Sequence, residues 1–388
     1  MSSRSGLALL AIIYLGFVSL GLPDGTLGVC WPLISSELQL PVGWGGVITF
    51  VITLLSAASG FASGKIIGRF RTGPVVMISC ILTGVALLIF SRAENFLWFI
   101  GAAFPLGLGA GAVDAGLNGF VAKHYSGRQM NWLHSCWGLG ATCGPLIVGE
   151  AIRSGYGWRG GYAVLGFAQL SLSVLFLLSL RLWAAVPERV QEEEKSQERR
   201  VKPDHSANSL PGWLSPLLIA LYVGVETTVG LWGASILTVG RHLSAEVAAV
   251  CLAAYYGAIT AGRLLVGWVV DRWGNRRMIM GGLWVALLGA VGFIFATTPI
   301  WAGVSLAVIG LGLAPVYPGF MHEVPRRFAA DAVQTVIGRQ SGAAFLGMAL
   351  LPAGVGSLAG WAIEGIAIAA VVGIVLLIAG ITKLDRMT

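Results

Sequence analysis

Five ionisable side chains interrupt the long apolar segments of this sequence, and they are the residues most able to do chemistry. An ionisable side chain at the centre of a helix in hydrocarbon costs at least about 2.5–3.5 kcal/mol. A chain keeps such a group where it binds a solute, carries a proton or pairs with an opposite charge. The five residues are Asp24, Asp114, His134, Glu226 and Arg263.

Asp24 and Glu226 each lie near the middle of an apolar segment. Pro23 and the glycines beside Asp24 loosen the backbone, which suits the wall of a cavity. Burial disfavours the charged form of a carboxyl group, so either acid could take up a proton on one side of a membrane and release it on the other. The alternative for each is a structural hydrogen bond inside a helix bundle.

Asp114, Asn118 and His134 form a second candidate group. Asp114 and Asn118 are one helical turn apart on the same face, and His134 begins the next apolar segment. A polar cluster of the three would be either a satisfied network that ties two helices together or a proton exit, because histidine titrates near neutral pH. Arg263 is expected to pair with an acid or to extend its charge towards water.

Six aromatic residues in the apolar segments could line a substrate cavity, since binding sites for small molecules are rich in aromatic rings. Tyr317 lies between Pro315 and Pro318, which predict a break in the helix suited to a gate or a cavity wall. The six candidates are Trp31, Trp137, Trp232, Tyr255, Tyr256 and Tyr317.

Membrane-spanning helices are the elements that must position these side chains. Hydrophobic residues make up 56% and charged residues 11% of the 388 residues, and the mean hydropathy is +0.80. A soluble domain has about 25% charged residues, and continuous apolar runs of about 20 residues predict transmembrane helices. The sequence has no phosphate-binding loop and no metal-ligand or catalytic cluster, so we expect neither an enzyme nor a metal site.

The apolar pattern predicts twelve transmembrane spans in the inner membrane, with both termini in the cytoplasm. Of the 25 Lys and Arg residues, only Arg92, Arg153, Arg159 and Arg241 fall on the outer side, with Arg263 inside a span. This asymmetry sets the orientation, and it explains the net charge of +7 without a nucleic-acid partner. The predicted spans are 7–34, 43–64, 73–91, 95–122, 131–152, 160–184, 213–239, 246–270, 277–297, 300–321, 333–358 and 360–382.

The chain divides into two similar halves. A hydrophilic stretch of mixed charge, 185–212, predicts a cytoplasmic linker between a six-helix half at 1–184 and a second at 213–388. The turn that begins at Gly64 recurs at Gly267. Such internal repetition is typical of transporters whose binding site lies between two repeats near the bilayer midplane.

This organisation resembles the major facilitator superfamily, whose signature turn reads approximately G-x-x-x-D-R-x-G-R-R. The first copy keeps Arg69 but has Gly68 in place of the aspartate. The resemblance implies two pseudo-symmetric six-helix bundles, alternating access, a monomeric carrier and a cytoplasmic gate held by Asp271 at a neighbouring helix end. The arginines could alternatively serve only to keep the loop inside. The second copy matches at Gly267, Asp271, Arg272, Gly274, Arg276 and Arg277.

A narrower resemblance, to the fucose-permease-like sugar:proton symporters, comes from four segments. These are Gly21-Leu22-Pro23-Asp24-Gly25, the glycine-rich run from Gly107 through Asp114 to Asn118, Asn131-x-x-His134, and Tyr222-Val223-Gly224-Val225-Glu226 with Trp232 beyond it. Acids in spans one and four carry the proton and substrate roles in those proteins, which implies such roles for Asp24 and Asp114. The expected function is proton-coupled uptake of a sugar or similar small polar solute, with no cofactor beyond the coupling ion.

Two alternatives remain open on the sequence. The spacing of Gly138, Gly140 and Gly144-Pro145 resembles the antiporter motif of drug-efflux members, which would make the protein a proton-antiporting exporter of amphipathic compounds or lipids. The same glycines could instead serve close helix packing. A transporter-like sensor without flux is the third possibility, and sodium could replace the proton as the coupling ion.

Overall fold

The computed structural model describes residues 3–24, 26–40, 44–183, 205–243, 245–359 and 365–388. The predicted linker lies outside these residues as far as position 204. Its last part enters a helix that begins at Leu210, earlier than expected, because the Ser209 side chain accepts a hydrogen bond from the Gly212 amide and Pro211 occupies the first turn. The domain boundaries stay a prediction.

The first part of the chain forms helices at each expected span. The first span is two helices rather than one, because the chain turns at Leu22–Asp24, where Pro23 lacks an amide hydrogen. The helices are α1 (Ser3–Gly21), α2 (Thr26–Glu37), α3 (Trp44–Phe70), α4 (Thr72–Ser91), α5 (Phe96–His124), α6 (Gly127–Arg153) and α7 (Gly157–Trp183).

The second part is built in the same way. The break predicted from Pro315 lies between two helices of the tenth span, and a π-helical turn, Ile236–Gly240, follows the first helix. The helices are α8 (Leu210–Ser235), α9 (Ala245–Trp273), α10 (Asn275–Ile294), α11 (Pro299–Leu313), α12 (Val316–Arg327), α13 (Ala330–Ala359) and α14 (Gly365–Met387).

Ten helical stretches of the described residues are long and apolar enough to cross a membrane, and α1 with α2 and α11 with α12 each count as one. The helices α6 and α13 are not among the ten, although they span 27 and 30 residues. Both carry polar residues that lower their mean hydropathy, among them Gln129 and His134 in α6. The chain is therefore a multi-pass helical membrane protein, and the count of twelve spans stays a prediction.

The chain packs as two compact units. The first comprises Met1–His124, Leu133–Ser196 and Ile337–Gly342, and the second comprises Tyr125–Trp132, Gln197–Val336 and Ala343–Thr388. The start of α6 thus belongs to the second unit, and a short piece of α13 belongs to the first. Each unit has its own buried apolar cluster.

Inside the first unit, α1 and α6 approach so closely that their glycines have no room for a side chain. A Cβ atom built on Gly140 would lie 1.9 Å from the Val18 carbonyl oxygen, and one on Gly144 would lie 1.8 Å from the Leu22 carbonyl oxygen. Small residues permit such approach in membrane helices. Close packing therefore accounts for Gly140 and Gly144 of the antiporter-like motif.

We predict that Gly140→Ala destabilises the protein by about 1–3 kcal/mol, the usual cost of overpacking, because the methyl group meets backbone atoms that cannot move aside. The matched control is Gly149→Ala on the same helix, where a Cβ atom would meet nothing within 4 Å. Thermal unfolding in detergent measures both variants. Equal stability of the two would contradict the packing argument.

Candidate functional site

Asp24 lies in the turn between α1 and α2, where its amide bonds the Gly21 carbonyl at 3.0 Å. The Nε1–H of Trp137 on α6 donates to Asp24 Oδ2 at 2.8 Å. The Asp24 side chain is otherwise exposed, and no ion pair to it occurs among the described residues. The carboxyl group therefore has a neutral donor as partner, which can bond it in either its charged or its neutral state.

The structure brings Asp114, Asn118 and His134 together as a chain of hydrogen bonds between α5 and α6. The Asn118 amide donates to Asp114 Oδ1 at 2.9 Å, and His134 Nε2 lies 3.0 Å from Asn118 Oδ1. Because that oxygen accepts, the Nε2 atom carries the hydrogen. All three residues are buried, and the His134 ring packs edge-on against Phe17. These contacts support the satisfied-network interpretation, and a proton exit stays a prediction.

Glu226 on α8 lies in a buried polar group with residues of α9. The Tyr222 hydroxyl donates to Glu226 Oε2, and the Arg263 guanidinium lies 3.6 Å from the same oxygen. The Tyr255 hydroxyl donates to the Glu226 main-chain carbonyl at 2.9 Å. Arg263 is only 5% exposed, so it pairs with an acid instead of extending to water. The sequence singled out Tyr222 only as the start of the segment that ends at Glu226 and did not predict this pair, although a tyrosine one helical turn before an intramembrane acid is a signal for it.

Two of the predicted cavity aromatics cannot contact a solute in this structure. Trp31 is 6% exposed and packs edge-on against Phe99 in the core of the first unit. Tyr255 is 0% exposed, because its hydroxyl is directed to the backbone of α8. Both rings pack against protein in this structure, and their role in lining a cavity stays a prediction.

The other four aromatics are partly exposed. Trp137 bonds Asp24, as described above, and Trp232 donates to the Pro352 carbonyl of α13 at 3.0 Å. Tyr256 directs its hydroxyl towards Gly230, and the Tyr317 ring lies 6.3 Å from the Tyr222 ring. They stay candidates for solute contact.

The turn after α9 reaches the start of α6 within the second unit. Asp271 Oδ1 accepts the backbone N–H of Arg128 at 3.2 Å, and Oδ2 lies 3.8 Å from its Nε. A carboxylate at a helix N-terminus is favourable, so the contact expected for Asp271 at a helix end is present. A Cβ atom on Gly267 would lie 2.6 Å from the Trp132 ring, and Gly274 has φ +82.

Arg276 joins a buried network that the sequence reasoning missed. Its Nε bonds Glu323 Oε2 at 3.2 Å, and Glu323 also accepts from Asn275 and Arg326 at 3.1 Å each. Arg327 bonds Asp385 of α14 at 2.5 Å. Glu323 is followed by Arg326 and Arg327 at helical spacing, and this pattern could have predicted the network.

The remaining arginines of the two turns are exposed. Arg272 and Arg277 form no ion pair within the part of the chain that the structure describes, and the Arg69 guanidinium lies 5.6 Å from the Phe70 ring. These three fit the simpler interpretation that basic residues fix the side of a loop. No group of three or more His, Cys, Asp or Glu suited to a metal ion occurs in the described residues.

The family model described as Major Facilitator Superfamily matches residues 13–352. The glucose/mannose transporter GlcP of Bacillus subtilis is 24% identical over 280 residues, 67% of each chain. The structure of FucP, an E. coli fucose:proton symporter, superimposes in its outward conformation with a TM-score of 0.75 at 13% identity, covering 98% of this chain and 99% of that one. The proton:xylose symporter XylE gives 0.77 at 13% identity, covering 99% and 96%.

Replacing Asn118 by Leu should destabilise the protein by about 1–3 kcal/mol, because Asp114 and His134 each lose a buried hydrogen-bond partner. Thermal unfolding in detergent is the measurement. The control is Thr142→Val on α6, whose exposed hydroxyl bonds the Gly138 carbonyl of its own helix. An Asn118→Leu protein as stable as the control would show that the cluster stabilises nothing.

Asp271→Ala should lower the free energy of unfolding by about 0.3–1 kcal/mol at low ionic strength, since a partly exposed carboxylate at a helix end contributes that much. High salt should reduce the difference, because solvent screens exposed charges. Arg272→Ala is the control, and it should change stability little at either salt concentration. An Asp271→Ala effect that persists unchanged in high salt would contradict an electrostatic contact.

Proposed function

The chain belongs to the Major Facilitator Superfamily and is a multi-pass membrane transporter and not an enzyme, and we propose that it takes up a sugar or similar small polar solute together with a proton. The named relatives support this substrate class, since GlcP transports glucose or mannose, FucP fucose and XylE xylose. The two structural relatives are proton symporters, which supports the proton over sodium as the coupling ion.

The observation that carries the proposal is the hydrogen bond from Trp137 to Asp24 at a helix break. A carboxyl group inside a membrane protein is costly when charged and unpaired. The indole N–H stabilises Asp24 without adding a positive charge, so the acid can gain or lose a proton without leaving a buried cation uncompensated. In the proposed cycle Asp24 takes up a proton with the solute outside, the two six-helix halves rock about the site, and both are released inside.

The proposed topology has twelve spans, with both termini in the cytoplasm of the inner membrane, and a monomeric carrier. The bias of Lys and Arg to one side supports the orientation. Each predicted span overlaps described helices, and the polar residues of α6 and α13 suit helices that face protein instead of lipid. In this frame the contact between Asp271 and the start of α6 would hold the cytoplasmic side closed.

The exporter alternative loses its main support. Its argument was the glycine spacing in α6, and two of those glycines lie against the carbonyl groups of α1. No observation favours a sensor without transport, because such a sensor would have the same fold as a transporter. The transport experiment separates all three.

Proton movement in proteoliposomes tests the proposal, with hexoses, pentoses and deoxysugars as the solute panel. A substrate added outside should alkalinise the external medium, and Asp24→Asn should reduce this signal to background while solute exchange without a gradient continues. Asp331→Asn, an exposed acid in the first turn of α13, should behave like the intact protein. A folded protein that is silent with every sugar would overturn the sugar assignment, and external acidification would favour antiport.

A further inference from the structure

We propose that Tyr222 couples the protonation of Glu226 to the break between α11 and α12, through one hydroxyl hydrogen that changes its acceptor. This inference rests on the proposed function for its role in transport. The contacts that carry it lie within the second unit and involve no solute.

The Tyr222 hydroxyl contacts two acceptors. One is Glu226 Oε2 on its own helix, and the other is the main-chain carbonyl oxygen of Leu313 at 3.1 Å. Leu313 is the last residue of α11, and α12 begins at Val316. Tyr222 is 1% exposed, so water cannot supply a missing hydrogen bond there.

A tyrosine hydroxyl has one hydrogen, so it can satisfy only one of these acceptors at a time. When Glu226 is a carboxylate, the hydrogen goes to Glu226, because a bond to a charged acceptor is the stronger. When Glu226 gains a proton, its new O–H group donates to the Tyr222 oxygen, and the Tyr222 hydrogen turns to Leu313. The proton comes from a hydronium ion of the surrounding water, so one O–H bond of that ion breaks as the O–H bond of Glu226 forms, and no covalent bond of Tyr222 changes.

The groups around Glu226 permit both states. From α9, Arg263 lies 3.6 Å from the carboxylate, which is beyond a normal hydrogen bond, and its Nε is buried without a hydrogen-bond partner. Tyr255 and Tyr256 of α9 are neutral, as is Tyr317 of α12, whose ring neighbours Tyr222. Arg263 is thus the one charged side chain described beside Glu226. It favours the carboxylate, and it also interacts with the Tyr222 hydroxyl, so the guanidinium keeps a partner when Glu226 is neutral. The Glu226 side chain is 18% exposed, so a proton can reach it.

The break can respond because its own hydrogen bonding is incomplete. Pro315 and Pro318 lack amide hydrogens, so the carbonyl groups of Leu311 and Ala314, four residues earlier, have no helical amide partner, and Leu313 lies between them. A hydrogen bond from Tyr222 to Leu313 ties α8 to the end of α11 in the protonated state and is absent in the ionised state. Protonation of the acid therefore changes how firmly the broken span is held.

Three variants test the separate contributions of Tyr222 and Glu226 to this hydrogen-bond switch. Tyr222→Phe keeps the ring and removes the switching hydrogen. Glu226→Gln imitates the protonated acid, since its amide N–H can donate to Tyr222. Tyr255→Phe is the matched control, because that hydroxyl bonds the main-chain carbonyl of the same Glu226 and not its carboxylate.

Infrared difference spectroscopy of the reconstituted protein, with pH varied and no solute added, tests the proposal directly. We expect a band from a protonated carboxyl group that is absent in Glu226→Gln. Tyr222→Phe should shift this band to higher frequency, because the acid loses its acceptor, and Tyr255→Phe should leave it in place. The absence of such a band in the intact protein, or an identical band in Tyr222→Phe, would overturn the proposal.

Transport then distinguishes this proposal from the proposed function. Where the intact protein accumulates a sugar against its gradient, Tyr222→Phe should keep solute exchange and lose proton-driven accumulation. The control Thr228→Val removes a hydroxyl that bonds the Gly224 carbonyl of α8, and it should keep both. Accumulation by Tyr222→Phe at the level of the intact protein would overturn the coupling role. If no sugar moves in the intact protein, the proposed function fails, and the infrared result still decides whether Tyr222 follows the proton.

Discussion

The absence of water inside a membrane is the constraint on which this structure depends, because each polar group must find its partner within the protein. The described acids meet that demand in different ways. Asp24 takes an indole N–H, Asp114 takes a carboxamide, and Glu226 takes a hydroxyl with a guanidinium nearby. The choice of partner sets what each acid can do, since a neutral donor tolerates loss of charge better than a buried cation does.

The helix breaks follow from the same constraint. A proline removes an amide hydrogen, and the backbone groups that it frees must be satisfied by a neighbouring side chain or by a water-lined space. Asp24 stands in the break between α1 and α2, and Tyr222 reaches the break between α11 and α12. One candidate coupling acid therefore stands in a helix break, and the hydroxyl that bonds the other reaches a second break.

Close packing supplies the geometry that these bonds require. Trp137 can reach Asp24 because α1 and α6 meet through glycines, with the backbone of α1 against Gly140. A glycine pattern that resembles an export motif therefore has a structural role in this chain. The contacts of these glycines are better evidence for their role than their similarity to the export motif.

The sequence by itself determined the helical membrane class, the positions of the helices to within a few residues and the break at Pro315. Hydropathy and proline act locally, so one sequence is enough to reveal them. Only the tertiary structure decided that Arg263 pairs with Glu226, that Glu323 bonds Arg276 and Arg326, and that Trp31 packs into a core. Those outcomes depend on which helix faces which, and side-chain partners from distant segments leave no periodic signal in the chain.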